Sequence, residues 1–372
     1  MSPSLAAVSA IQALDEVYFF PTLGVWNEAR QAWQVAVHGI VSRPALGRLM
    51  ERAVLGLFRR YARIRATQAK DELFRLRASP FLAEPLSRRK IIIRLGARNY
   101  VAGVSGRNGH FGTTLEIAAA DLTATADAFV AAAGPPRDSP NSAPGTEPPA
   151  AALPPEADGW LSWRVVLPEA DARVLTGRAQ LLAPGGRSVI SDVDDTIKVS
   201  RVLQRKLLVR GTFSKPFRAV AGMADVYRQW AEQGAAFHYV SASPWQLFGA
   251  LEAFRESNGF PAGAWEMKHL KWRSAPVTRL FVAKTTYKRN KIEPLLLAYP
   301  GRQFVFVGDS TQHDPEVYGG IARKHPEQLA GIYIRAVQPD DLPPARLARA
   351  FAEIAPERIH IFRDASELSF AC

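Results

Sequence analysis

Val189-Ile190-Ser191-Asp192-Val193-Asp194-Asp195-Thr196 sets three carboxylates directly behind a short apolar run. An Asp-x-Asp-x-Thr at the end of a strand is what a phosphoryl-transfer site needs. A carboxylate that attacks phosphorus forms an acyl phosphate and so divides one difficult displacement into two easier ones. Asp192 is the candidate nucleophile. A second carboxylate two residues along, Asp194, is placed to protonate the leaving alkoxide and then to deprotonate the attacking water. The plainer reading is an acidic turn, because Asp accepts local backbone hydrogen bonds and is common after strands. A calcium loop fits worse: the glycine and closing Glu of an EF-hand are missing.

Three further pieces lie downstream, each near an apolar run. Phe237-His238-Tyr239-Val240-Ser241-Ala242-Ser243-Pro244 ends in hydroxyls. Ser241 is the candidate donor to a phosphoryl oxygen, whereas Ser243, immediately before Pro244, reads as a helix N-cap. Lys284-Thr285-Thr286-Tyr287-Lys288-Arg289-Asn290-Lys291 supplies a cation to balance the charge of nucleophile and phosphoryl group, although most of these side chains must be solvated surface. Phe304-Val305-Phe306-Val307-Gly308-Asp309-Ser310-Thr311-Gln312-His313-Asp314-Pro315-Glu316 is another strand that ends in carboxylates, and Asp309 would complete a site for magnesium, a hard cation that prefers oxygen.

Taken together, 192–196, 240–247 and 307–318 resemble the haloacid dehalogenase superfamily of aspartate-nucleophile phosphatases, and within it the fungal actin-patch phosphatidate phosphatases and their bacterial relatives. The resemblance covers the C-terminal half well and the N-terminal half loosely. It implies Asp192 as nucleophile, Asp194 as acid/base, Ser241 as phosphoryl donor and Lys288 as charge-balancing lysine. It further implies a magnesium ion held by Asp192, by the backbone carbonyl of Asp194 and by Asp309, with Asp314 a supporting acid and Thr196 orienting the acid/base. Tyr287 stands before Lys288 where the family carries His, which leaves Lys284 and Lys291 open as the charge balancer. Pro294 is expected to kink or restart the helix that follows this lysine.

Apolar runs at 189–193, 236–240, 279–282, 303–307 and 331–337, separated by helical patterns such as 223–233 and 245–257, predict an α/β domain over 187–372: a Rossmann-like parallel sheet with helices on both faces. Gly234 and Gly259 sit where its helices should stop. Such folds bind ligands outside the carboxyl ends of their strands. Residues 15–186 read differently, with strands at 18–21, 33–39, 90–95, 113–117, 161–167 and 174–182 and no regular helical crossovers. This pattern predicts a β-rich, sandwich-like N-terminal domain after a tail at 1–14. Residues 134–158, rich in Pro, Ala and Ser, read as a disordered loop within it. The glycine-rich stretch 103–112 has no helix after it and reads as a hairpin turn rather than a dinucleotide loop.

A chain of 372 residues can hold two domains with ample cores. Its single cysteine, Cys372, allows no disulfide framework and favours a reducing, cytoplasmic setting. Neither a signal peptide nor a spanning helix is expected. Net charge is +12, and residues 41–107 hold 16 basic against 4 acidic side chains, an excess equal to the whole. Within them Leu46, Leu49, Met50, Ala53, Leu57 and Tyr61 recur at helical spacing among arginines, so an amphipathic helix against an anionic phospholipid surface is one reading and packing on the β-domain the other. Nucleic acid finds no recognisable binding motif. Only a few dozen residues separate Thr196 from Ser241, enough for a flap and not for a closed lid, which suits a phosphomonoester carried on something large. The family resemblance then implies phosphatidate, cleaved to diacylglycerol and phosphate. A phosphomonoesterase acting on phosphoprotein or polynucleotide ends is the alternative, and a non-enzymatic binding module with a relic site is a third.

Overall fold

The computed structural model describes residues 9–44, 56, 68–118, 121–122, 159–269, 285–338 and 342–368. The expected amphipathic helix over 46–65, the loop at 134–158, the strand at 279–282, Lys284 and Cys372 lie outside these residues, Gly56 apart. The chain divides into two units, 1–43 with 84–183 and 44–83 with 184–372.

The first unit is built from β1 (Ser9–Ala10), β2 (Glu16–Phe20), β3 (Thr22–Asn27), β4 (Ala32–Arg43), β5 (Glu84–Pro85), β6 (Arg89–Leu95), β7 (Arg98–Val104), β8 (His110–Ala118), β9 (Trp160–Val165) and β10 (Thr176–Leu182). All ten join in one largely antiparallel sheet. Period-two burial explains why these sequences are strands: Val35, Val37 and Val41 of β4 and Ile91, Ile93 and Leu95 of β6 face a core shared with Phe19, Phe111 and Trp163. The glycine-rich stretch is a turn with no helix after it, closed by the Gly106 amide donating to the His110 carbonyl (2.8 Å), but it is not the expected hairpin: it joins β7 and β8, which pair with β6 and β4 and not with each other. The strands β3 and β7, each short and weakly alternating, were not foreseen.

The second unit opens with α1 (Gln68–Leu82), which the sequence reading placed in the β-rich domain. Here α1 packs on α2 (Arg205–Ser214), where Arg77, buried in α1, donates to the Thr212 and Lys215 carbonyls at 2.6 and 2.7 Å. Its core is a six-stranded sheet of β11 (Gly186–Ser191), β12 (Ala236–Pro244), β13 (Gly263–Lys268), β14 (Arg302–Asp309), β15 (Leu329–Arg335) and β16 (Ile359–Phe362). The spatial order is β13-β12-β11-β14-β15-β16, every pair parallel. Both faces of each central strand are covered, and β12 is buried at every position.

Connections run through α2, α3 (Met223–Glu232), α4 (Phe248–Ser257), α5 (Thr285–Ala298), α6 (Asp314–Lys324) and α7 (Pro344–Ala350). Gly234 and Gly259, with φ of 85° and 71°, end α3 and α4 as expected. Pro294 lies inside α5, yet the helix continues to Ala298 rather than restarting. From β11 the chain moves outward to β12 and β13, then returns to β14 on the other side of β11. With right-handed crossovers this reversal puts successive helices on opposite faces and leaves a crevice at the carboxyl ends of β11 and β14.

A buried network pins the middle of this sheet. Arg302 Nε on β14 donates to Ser188 Oγ on β11 (2.9 Å), and that hydroxyl lies 3.0 Å from His238 Nε2 on β12. Burial, with the Arg302 charge adding, pulls the His238 imidazole down to about 3 from an ordinary value near 6.5. The folded state therefore holds His238 neutral, and its stability falls as pH drops below the unfolded value. Between pH 7 and 5 this group should cost up to about 2 kcal/mol, a loss that His238→Gln should lack. Urea denaturation of both proteins at the two pH values measures it, and equal losses would exclude this role for His238.

Candidate active site

At the crevice the strand β11 ends and Asp192 follows, its amide donating to the Val307 carbonyl of β14 (2.9 Å). The backbone of the candidate nucleophile is thus fixed to the neighbouring strand. The side chain is buried and accepts from Lys288 Nζ (2.7 Å, through Oδ1) and Thr196 Oγ1 (3.1 Å, through Oδ2). Thr196 therefore orients Asp192, not Asp194 as the resemblance implied. The reason is local: the turn over 193–198, closed by the Ile197 and Lys198 amides on the Val193 carbonyl, carries Thr196 back over the strand end.

Lys288 lies in the first turn of α5 and also pairs with Asp314 Oδ1, the first residue of α6. Lys291, the other described alternative, pairs instead with Glu266 (2.7 Å). Asp314 Oδ2 accepts from the Asp309 amide (3.2 Å), which brings the last residue of β14 into the same cluster. Gly308 is required by that approach: a Cβ there would stand 2.4 Å from Asp314 Oδ2 and 2.6 Å from the Tyr318 ring.

One oxygen of each of Asp192, Asp309 and Asp314 lies within 4.8 Å of the other two, and all three are buried. If all three were ionised, these carboxylates against the Lys288 ammonium would leave two negative charges uncompensated in a buried site. Burial, partly opposed by Lys288 and reinforced by Asp314 and Asp194, pushes Asp192 up to about 7. Burial and then the Asp314 and Asp192 charges push Asp309 well above the carboxylate range. Asp309 Oδ1 accepts from the Thr311 amide (2.6 Å) and hydroxyl, while Oδ2, also buried, has no hydrogen-bond partner among the described residues. An orphaned buried oxygen, an all-oxygen donor set and a deficit of two positive charges are what a divalent hard cation would satisfy. The residues fit magnesium, with Asp314 closer to the donor set than its sequence position suggested.

Asp194 sits apart from this cluster in a neutral pair. Its Oδ1 meets Lys198 Nζ (2.6 Å) and Ser200 Oγ (2.5 Å), and its Oδ2 accepts from Ser243 Oγ (3.0 Å). Burial pushes this carboxyl up, but the Lys198 ammonium and the three hydrogen bonds outweigh it and hold the group below its ordinary value. Ser243 is thus a partner of Asp194 and not the helix cap its place before Pro244 predicted; the following 3-10 turn has no side-chain cap. Ser241, fully buried in β12 where pairing with β13 shifts register after Val240, accepts from the Ser243 amide (3.0 Å) through Oγ, and its carbonyl accepts from Tyr287 Oη (3.1 Å). The tyrosine that departs from the family pattern therefore ties α5 to β12.

The third carboxylate, Asp195, has a structural task. With φ of 60°, a left-handed conformation that Asp tolerates better than most residues, it accepts from the Ser200, Arg201 and Val202 amides at 2.7, 2.8 and 2.8 Å. Arg335 donates to its carbonyl (2.8 Å). Lys198, Ser200 and this role of Asp195 were missed by sequence reasoning; the only signal was a lysine four residues after a carboxylate.

Residues 187–336 match the family model described as phosphatidate phosphatase APP1, catalytic domain. Over 164 residues the chain is 29% identical to an uncharacterized protein of Schizosaccharomyces pombe, covering 43% of this chain and 27% of that protein. Over 161 residues it is 32% identical to phosphatidate phosphatase APP1 of Saccharomyces cerevisiae, covering 42% of this chain and 27% of the yeast protein. The chain thus spans little more than a quarter of the length of these curated relatives. Residues 187–336 form a phosphatidate phosphatase-like catalytic domain.

Proposed function

We propose that residues 187–336, a catalytic domain of this type, hydrolyse a phosphomonoester through an aspartyl-phosphate on Asp192, with phosphatidate as the substrate class. The observation that carries the reading is the buried cluster of Asp192, Lys288, Asp309 and Asp314, one oxygen of which is orphaned. An Asp192 oxygen attacks phosphorus while the bond to the leaving alkoxide breaks. Asp194, when protonated, gives its proton to that alkoxide; as a carboxylate it then takes a proton from the water that attacks the acyl phosphate, releasing inorganic phosphate and restoring Asp192. Asp194 begins ion-paired with Lys198, so substrate entry has to loosen that pair before the acid can be protonated.

Lys288 balances the charge gathered on Asp192 and the phosphoryl group, and the Ser241 hydroxyl, buried on β12, is the candidate donor to a phosphoryl oxygen. Magnesium held by Asp192, Asp309 and the Asp194 carbonyl would neutralise the phosphoryl oxygens. Asp314 is placed to support it.

Phosphatidate follows from the named yeast relative. Among the described residues no helix is long and apolar enough to cross a membrane, and peripheral action at a membrane surface in the cytoplasm remains part of the proposal. Phosphate release from phosphatidate in mixed vesicles should require magnesium and stop on chelation. If phosphopeptides or polynucleotide ends are hydrolysed and phosphatidate is not, the lipid assignment fails while the chemistry stands.

A further inference from the structure

Beyond the nucleophile motif the chain leaves the site through Val199-Ser200-Arg201-Val202-Leu203-Gln204 and enters α2. Val199, Leu203 and Leu207 are 45%, 54% and 40% exposed, whereas Leu208, Val209 and Phe213 of the same helix are buried. The apolar face of α2 is therefore already satisfied, and these three side chains are surplus to it. Cations accompany them. Arg201 and Arg218 are exposed, and the Val199 amide donates to the Arg218 carbonyl (2.9 Å), which sets the two strands of chain side by side.

The first turn of α2 holds Arg205 and Lys206 and no acid, and Gln204 makes no side-chain cap. In water, exposed leucines are unfavourable and the exposed Arg201 and Arg218 gain nothing. Against a bilayer with anionic headgroups both become favourable: apolar side chains enter the headgroup and acyl boundary, and cations meet phosphates. A soluble anion would use the charges but leave Val199, Leu203 and Leu207 without purpose. Single-stranded nucleic acid would call for stacking rings, and 199–207 contains none.

This surface is fastened to the chemistry. Asp195 holds the Ser200, Arg201 and Val202 amides, and the Ser200 hydroxyl donates to Asp194 at 2.5 Å. We propose that residues 199–207, with Arg218, are the surface by which the catalytic unit docks on an anionic phospholipid bilayer. It deepens the phosphatidate reading and rests on it only for the choice of lipid as substrate; docking itself is measured without that substrate.

The test uses the full chain and sedimentation with vesicles of phosphatidylcholine alone or with phosphatidylserine, free of phosphatidate. Wild type should bind the anionic vesicles and bind the neutral ones much less. Leu203→Ser/Leu207→Ser should weaken binding by at least about tenfold, and Arg201→Asn with Arg218→Gln by about fivefold per charge; asparagine suits the left-handed backbone of Arg201. Both variants should hydrolyse the soluble p-nitrophenyl phosphate like wild type, which also shows that they fold. Wild-type binding in both variants, or no preference for anionic vesicles, overturns the proposal, as does a matching loss of p-nitrophenyl phosphate activity. Loop-dependent binding without phosphatidate hydrolysis would retain docking and reject the lipid as substrate.

Discussion

Asp192→Asn is expected to abolish phosphate release, by about 10⁴-fold or more, as removal of a covalent nucleophile does, while leaving the fold intact or firmer. The second half of this expectation follows from electrostatics. Asp192 is buried, and burial has pushed its carboxyl up to about 7. A carboxyl raised in this way favours the protonated form, so in metal-free protein its ionisation costs stability as pH rises from the ordinary carboxyl range toward 7. The asparagine is isosteric and uncharged. It can accept from Lys288, and Thr196 Oγ1 can turn to accept from its amide, while Lys288 keeps Asp314. In chelator at pH 8 the melting temperature of Asp192→Asn should equal or exceed that of wild type. Retention of more than about one part in a hundred of the activity would remove Asp192 as nucleophile. A marked fall in melting temperature would mean that its charge is compensated in the metal-free protein.

Lys288→Met should do the opposite to stability. Its ammonium is buried between Asp192 and Asp314. Burial alone would lower its pKa, but Asp192, Asp314 and Asp309 together raise it, so it stays charged at every relevant pH. Methionine keeps much of the volume and strands the carboxylates. Breaking a buried pair from one side costs about 3–5 kcal/mol, which for a unit of this size lowers the melting temperature by roughly 10 °C. Activity should fall about 10²- to 10³-fold, because the developing phosphoryl charge loses its fixed cation. Adding Asp314→Asn removes one stranded charge and should recover part of the stability and none of the activity. An unchanged melting temperature in Lys288→Met would show that no charge is stranded without it, and the account of the cluster would fall.

The parallel sheet of the second unit is legible in the sequence because its strands are buried on both faces and read as unbroken apolar runs; 303–307 became Arg302–Asp309 and 331–337 became Leu329–Arg335 with small shifts at their ends. The edge strand Gly263–Lys268 was missed, since Trp265, Glu266 and Met267 make no clear run. Strands of the first unit were found where alternation is strict, as at Arg89–Leu95, and missed where glycine and polar residues dilute it, as at Arg98–Val104. In the site, Asp192, Ser241, Lys288, Asp309 and Asp314 stood out because carboxylates, hydroxyls and lysines at strand ends are conspicuous. The partners of Asp194 did not. Lys198 looked like an ordinary surface cation, and Ser243 satisfied a capping rule that the structure does not use. Both depend on where the turn over 193–198 carries the chain, which neither periodicity nor spacing specifies.

The three amides gathered by Asp195 have a consequence for how such a protein can diverge. By closing the chain on itself between residues 200 and 202, this carboxylate acts as a firebreak: substitutions from Leu203 onward can retune what the outer segment adheres to without disturbing the geometry of Asp194, so that target preference and chemistry can drift on separate clocks.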